Sequence, residues 1–407
     1  MERRQGIHYG WVIAAIGFLI IFACIGLGRY AYTMLLPSMQ AGLGLSYERM
    51  GFIGTGNFCG YLLSVIAAPR LIRRYRPRAV IVAGMALITA ALFCLGSCRG
   101  FAAPLACYFL VGVGTGCANI PTMALISHWF RSDRRGRAAG LMIGGNGAAI
   151  MLAGFLVPAL NRWFGGNGWR AAWVLLAAAA LPVTLLAARF IRNSPAELGL
   201  EPVGRKGDAP HREDTGERPG DGALLVKLGM LYFCFGATFM VFGTFIVTTM
   251  VREYGFSETR AGMYWSLAGF FSLFSGLLFG TLSDRIGRRE GLAMVFSVQC
   301  CAYLLAAFAP GSAWLIPAII LYGLAVFAIP AIMAAAVGDY LGAHRAAGAF
   351  ATVTMFFAAG QTAGPALAGM MAGYTGSFSG AYALAALLTA AAAAAGRALP
   401  EPAVRRL

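Results

Sequence analysis

The chain of 407 residues is 59% hydrophobic and only 12% charged, about half the charge share of an ordinary soluble domain. So little charge cannot cover a water-facing surface of this size, which excludes a typical cytosolic enzyme, a disordered chain and a fibre. The net charge of +16 would point to nucleic acid in a soluble protein, but here the arginines lie between long apolar blocks, where they set membrane topology; no nucleic-acid partner is expected.

Taken in order, the first apolar block covers roughly residues 10–38. It follows Met1-Glu-Arg-Arg, and the stretch from Trp11 to Leu36 is too long for a signal-peptide core and lacks a small-residue cleavage site, so it is expected to remain. Eleven further blocks cover roughly 48–68, 79–97, 104–129, 138–160, 169–191, 224–250, 259–281, 291–309, 313–338, 346–372 and 378–396. About twenty apolar residues cross the hydrocarbon layer as a helix, and lone apolar strands cannot satisfy their backbone there. The expected fold class is an all-α polytopic membrane protein of twelve transmembrane helices.

Arginine and lysine orient them. With both termini in the cytoplasm, the inner side holds Arg3 and Arg4, the run from Arg70 to Arg78, the cluster Arg131, Arg134, Arg135 and Arg137, and Arg205, Lys206, Arg212 and Arg218. Arg285, Arg288, Arg289, Arg345, Arg397, Arg405 and Arg406 complete it, and only Arg49, Arg99, Arg162, Arg170, Arg252 and Arg260 remain outside. This positive-inside bias predicts a multi-pass protein of the cell's inner membrane.

Between Asn193 and Gly222 the composition changes to Asp208, Glu213, Asp214, Glu217, Asp221, basic residues and prolines. A solvated linker over 193–223 is predicted, separating six-helix bundles at 1–192 and 224–407. The halves also repeat. Arg137-Ala-Ala-Gly140 recurs as Arg345-Ala-Ala-Gly348, Pro121 and Pro330 occupy matching places, and the glycine-rich fifth block matches the eleventh. Two pseudo-symmetric bundles about an axis along the membrane normal follow.

The loop after the eighth block reads Gly280-Thr-Leu-Ser-Asp284-Arg285-Ile-Gly287-Arg288-Arg289. An acid among arginines at a helix end can latch neighbouring helices through charge and helix dipole, so Asp284, Arg285, Gly287, Arg288 and Arg289, with Arg137 and Arg345, are candidate gating residues. Twelve helices as six plus six, with this loop, resemble the major facilitator superfamily. The matching first-half loop, Ala68-Pro-Arg-Leu-Ile-Arg73-Arg74-Tyr-Arg-Pro-Arg78, is degenerate, with Arg73 where the family has aspartate. His8-Tyr-Gly-Trp11, Gly168-Trp-Arg-Ala-Ala-Trp173 and Asn193-Ser-Pro-Ala-Glu-Leu-Gly-Leu-Glu-Pro202 resemble bacterial monocarboxylate and oxalate–formate porters. Those carriers often hold an arginine in helix 8, whereas this one has only Arg260 at its edge. Gly28-Arg29-Tyr30-Ala-Tyr32-Thr33 is similar to less characterised branches of the superfamily.

Of all the charged residues only Arg29 falls well inside an apolar block. At 1.5 Å per residue it lies roughly 27 Å along a helix of about 39 Å, in the outer half. Such a charge costs at least ~2.5–3.5 kcal/mol and cannot be relieved by deprotonation. Three accounts compete: the side chain snorkels to outer headgroups, it caps carbonyls of a broken neighbouring helix, or its missing carboxylate is the substrate's, held by two parallel donors. Uncharged partners for a substrate are Asn57, Asn119, Asn146, Tyr322 and Gln361, each equally able to bridge helices. Tyr30, Tyr32, Tyr232 and Phe242 can serve as packing aromatics, and His128 and His344 lie too near helix ends to relay protons at the midplane.

No nucleophile–base or metal constellation falls in any apolar block. The nine cysteines read as small packing residues, so neither an enzyme nor a cofactor is expected. A monomeric carrier moving a small monocarboxylate-like anion by alternating access is predicted, coupled to protons or to a counter-anion. Efflux of amphipathic drugs and a non-transporting membrane sensor are the alternatives.

Overall fold

A computed structural model of the chain describes residues 8–204, 221–341 and 345–400, without the side chains of residues 132, 133, 346 and 347. Most of the predicted linker, with Arg205, Lys206, Asp208, Arg212, Glu213, Asp214, Glu217 and Arg218, lies outside the described residues, as do His344, Arg3, Arg4, Arg405 and Arg406.

Each apolar block is helical. α1 (Tyr9–Ile21), a π-helical segment (Phe22–Tyr30) and α2 (Ala31–Leu43) make one continuous run, followed by α3 (Tyr47–Leu95), α4 (Ala102–Trp129), α5 (Ser132–Phe164) and α6 (Gly168–Phe190). After the linker come α7 (Asp221–Arg252), α8 (Glu258–Ile286), α9 (Arg288–Ala307), α10 (Leu315–Ala325), α11 (Ala328–Leu341), α12 (Ala346–Thr375) and α13 (Ser379–Arg397). Nine helical runs among the described residues are long and apolar enough to cross a membrane. The chain is an all-α polytopic membrane protein.

Local chemistry sets the helix ends. Ser46 accepts from the Arg49 amide at the start of α3, and Ser257 does the same for Arg260 at the start of α8, each at 3.3 Å. A side-chain oxygen there takes one of the amides that a first turn leaves unpaired. Glu253 performs this service from a distance, accepting from the Phe378 amide at 2.9 Å just before α13.

Two breaks register the halves of the sequence on each other. α3 is interrupted at Arg76, with φ 66° and ψ 155°, and Gly287 separates α8 from α9 with φ 99° and ψ 154°. The same rare backbone conformation therefore follows three residues after Arg73 and three after Asp284. Glycine adopts it freely, whereas arginine does so under strain.

The helices are not equally sheltered. The apolar window of α7 is 83% buried, against 39% in α8 and α13, so α7 lies inside the protein while the other two present apolar faces to lipid. Between the stretch before the linker and the stretch after it runs a seam of close backbone contact. A side chain at Gly51 would run into the Pro365 carbonyl, one at Gly147 into that of Gly269, and one at Gly154 into that of Gly262. Small residues permit such approach where lipid supplies no hydrophobic drive.

Hydrogen bonds between described residues cross this seam only at or beyond the level of Arg29, toward the end that carries the Gly44 turn. The Thr33 hydroxyl donates to the Gly243 carbonyl. Thr55 donates to the Thr362 carbonyl at 3.1 Å, and Arg252 to the Pro37 carbonyl at 3.3 Å. The Asn161 amide donates to Glu258 at 2.6 Å, and Ser266 to the Met151 carbonyl at 3.0 Å. One end of the seam is closed.

Candidate functional site

Arg29 sits in the π-helical segment, and that local geometry explains its placement. A π turn is wider than an α turn and frees carbonyls from the usual ladder. Here side chains of α4 take them: Thr115 donates to the Cys24 carbonyl at 2.9 Å, and Tyr108 donates to the carbonyl of Arg29 itself at 3.2 Å. Gly26 lets the segment press against α5, since a side chain there would collide with Ala149.

The guanidinium is buried, with 7% of the residue exposed, so snorkelling to lipid headgroups does not describe it. Nor does it cap backbone carbonyls. Its Nε donates to Asn57 Oδ1 at 3.3 Å and its Nη1 to Gln361 Oε1 at 3.4 Å. The first partner precedes the linker and the second follows it, so Arg29 bridges the seam. Its Cζ lies 4.9 Å from the Phe58 ring centre and 4.8 Å from that of Tyr61. Each such contact contributes about 0.5–2 kcal/mol. Among the described residues no carboxylate pairs with it, and its Nη2 has no hydrogen-bond partner.

The other predicted binding residues separate into two sets. Asn57 and Gln361, both fully buried, meet at Arg29, and Asn57 is braced by donating to the Tyr108 carbonyl at 3.1 Å. Asn119 is partly exposed on α4, beside the Tyr61 hydroxyl. Tyr322 is buried, donates to the Phe239 carbonyl at 3.1 Å and covers Gly243 on the far wall. Asn146 is buried on α5 with its side-chain oxygen unpartnered among the described residues, and no hydrogen bond joins it to Arg29. Beside Arg29 lies a cavity of about 10 Å³, lined among others by Tyr32, Thr33, Tyr108 and Thr244, with room for a single water.

Sequence reading missed Phe58, Tyr61, Tyr108 and Thr115 as parts of this site. A signal existed for one: Tyr61 stands four residues after Asn57, over the same helical face. Nothing along the chain marks Tyr108 or Thr115.

The charged cluster of the loop between α8 and α9 centres on Arg288. It is buried, pairs with Asp284 at 2.6 Å and Asp339 at 2.8 Å, and donates to Ser283 at 2.7 Å. Asp339, the unforeseen partner, ties α9 to α11. Arg289 pairs with Glu290 at 3.4 Å, Arg345 with Asp221 at 2.6 Å, while Arg285 and Arg137 are exposed. In the degenerate first-half loop, Arg73 is exposed and Arg78 instead donates to the Ala188 carbonyl near the end of α6. That carbonyl belongs to the negative pole of the helix dipole.

The cysteines are free. Two meet, however: Cys98 and Cys107 approach to 3.7 Å between sulfurs. Among the described residues no group of three or more metal-binding side chains gathers.

A many-helix membrane body with a seam closed at one end, and an unneutralised cation buried on that seam, has the form of a multi-pass carrier. The chain belongs to the family described as "Uncharacterised MFS-type transporter YbfB", whose model matches residues 21–397. It is 22% identical over 361 residues to a probable hexose phosphate transport protein of Chlamydia pneumoniae, covering 81% of this chain and 78% of that one. With the probable sulfoacetate transporter SauU of Cupriavidus necator it shares 22% identity over 302 residues, 71% and 68% of the two chains. The agnestins efflux protein AgnL12 of Paecilomyces divaricatus is 30% identical over 299 residues, 70% and 64% of the two. Among solved structures, an inward-facing, unoccupied bacterial homologue of the human lysosomal transporter Spinster superposes with a TM-score of 0.73 at 16% identity, over 96% of this chain and 95% of that one. The protein is a secondary transporter that moves a small molecule by alternating access, and not an enzyme.

Proposed function

We propose that the cargo is a small organic anion of the monocarboxylate class, bound through Arg29. The observation that carries this reading is the state of that guanidinium: buried at the seam, held by two neutral amide oxygens, and left with one free N–H edge. A carboxylate matches this fork with two parallel bonds and removes the uncompensated charge. Hexose phosphates and sulfoacetate, in the names of two relatives, are also anions. The wider reading is that the chain crosses the membrane twelve times, as bundles over 1–192 and 224–407 joined by 193–223. In support, α3 at 49 residues is about 74 Å long at 1.5 Å each, more than twice the hydrocarbon thickness, and it breaks at Arg76. The arginine distribution supports cytoplasmic termini, which makes the closed end of the seam the outer one. Without a membrane-embedded acid, coupling falls to a proton carried in with the anion or to exchange for another anion.

Amphipath efflux is the second reading, favoured by the aromatic rings around Arg29 and by the efflux name of one relative. Uptake of labelled lactate, pyruvate, oxalate and formate by proteoliposomes separates the two. Arg29→Lys and Arg29→Gln should abolish anion uptake and leave folding intact. Unchanged uptake in both rejects the site, and competition by lipophilic cations alone supports efflux.

A further inference from the structure

The Arg29–Gln361 contact is oriented by chemistry. A guanidinium has donors and no acceptor, so the Gln361 amide must turn its oxygen toward it and its Nε2–H₂ away. That Nε2 then finds no partner, and neither does Arg29 Nη2. Two buried groups on opposite sides of the seam are thus both left as unpaired donors, a combination that native interiors avoid. A group offering only acceptors satisfies both at once. An anion also neutralises the guanidinium, which a neutral acceptor or a cation does not.

The contact is also weak for its kind. Charge-assisted bonds normally close to about 2.7–2.9 Å, whereas this one is 3.4 Å. Next to it Thr55 binds the Thr362 carbonyl across the same α3–α12 line. The adjoining cavity of about 10 Å³ holds a single water, too little for a carboxylate. The walls around Arg29 must therefore part to admit an anion, and the long Arg29–Gln361 bond is what joins that guanidinium to the other side of the seam.

We propose that Gln361 is a tie that the substrate displaces: its amide oxygen holds Arg29 across the seam while the site is empty, and an incoming carboxylate takes that place while the amide turns to donate Nε2–H to it. One side chain then closes the carrier when empty and grips the cargo when loaded, which couples recognition to movement. This rests on Arg29 being the anion site.

The test uses the full chain in detergent. Hydrogen exchange is followed in the peptides around Gly51–Asn57 and Gln361–Gly369, with and without lactate, pyruvate, oxalate or formate. Gln361→Met removes the tie at nearly constant size, and without any anion it should speed exchange in both peptides by about threefold, the worth of one interhelical bond in lipid. Gln361→Glu places a built-in carboxylate on Arg29. It should slow that exchange and weaken protection by added anion at least about tenfold, a loss of about 1.4 kcal/mol. Unchanged exchange in Gln361→Met, or wild-type anion affinity in Gln361→Glu, overturns the tie. Protection of the wild type by none of the four anions, or by the same anions in Arg29→Gln, instead overturns the Arg29 site and the displacement with it; the anion-free Gln361→Met result tells these failures apart.

Discussion

Replacing Arg288 tests the charged cluster between α8 and α9 most directly. Its side chain is 8% exposed and joins two carboxylates of unequal burial, Asp339 at 25% and Asp284 at 50% exposure. Breaking a fully buried ion pair by removing one partner costs about 3–5 kcal/mol, whereas a solvated pair contributes at most ~1 kcal/mol. Asp284 belongs near the second limit and Asp339 between the two, so Arg288→Met should destabilise by about 2–3 kcal/mol. For a helical half of this size that lowers the melting temperature by about 4–12 °C. Arg288→Lys keeps the charge but cannot fork to both acids, and should lose about half as much. Asp339→Asn should exceed Asp284→Asn because less water stands in for the lost contact. Thermal unfolding in detergent, followed by tryptophan fluorescence, reads all four. A melting point within 1 °C of wild type for Arg288→Met, or equal losses for the two acids, refutes the assignment of Arg288 as the centre.

Arg76 stands in a conformation that costs a side-chain-bearing residue about 1–3 kcal/mol. Arg76→Gly should therefore raise the melting temperature by about 2–4 °C after glycine's own entropic cost, and a drop would show the strain is absent. Gly154→Val and Gly147→Val place methyl groups against facing carbonyls of α8; overpacking of about 1–3 kcal/mol should hold the seam apart and cut uptake at least about tenfold, and wild-type uptake would rule out that contact. Burial pushes the Cys98 thiol up to about 12, with Cys107 nearby adding to it. At pH 8 only about one molecule in ten thousand then carries the reactive thiolate, so maleimide labelling of the Cys98 peptide should lag far behind that of exposed Cys94 and rise with pH. Equal labelling at pH 8 would contradict this.

Helix positions were legible because lipid imposes one rule, a long apolar run, and every block is helical, although 48–68 and 79–97 run together as α3 and 313–338 divides into α10 and α11. What broke the helices was less visible. α10 and α11 part near Phe327, whose amide is taken by the Ser275 hydroxyl at 3.0 Å. That partner is 52 residues away, although Pro330, which cannot donate to the Val326 carbonyl four residues back, does mark the break in sequence. The π-helical segment is silent, since Gly26 and Gly28 are ordinary in a membrane helix. At the site, Arg29 announced itself through its charge, but five polar candidates looked alike in sequence. Which face each presents depends on helix phase and tilt, and only Asn57 and Gln361 turned toward the guanidinium. The repeated Arg-Ala-Ala-Gly motif makes the same point: Arg345 has Asp221 to pair with, while Arg137 is exposed.

The distribution of bond types fits a carrier that must open. Within each stretch the neutral bonds are joined by ion pairs and by bonds to helix ends, as with Arg288 to Asp284 and Asp339, Arg345 to Asp221, and Arg78 to the Ala188 carbonyl. Across the seam, the described residues supply six hydrogen bonds and no ion pair. At an average near 0.6 kcal/mol for a polar contact between membrane helices, six contribute roughly 4 kcal/mol. Turning a two-state equilibrium from one side to the other takes about 5.5 kcal/mol of differential binding, so ties of this strength stay within reach of a single well-held anion. An acid in place of Gln361 would neutralise Arg29 permanently and leave the cargo nothing to offer. The neutral amide keeps the charge unanswered until a substrate arrives.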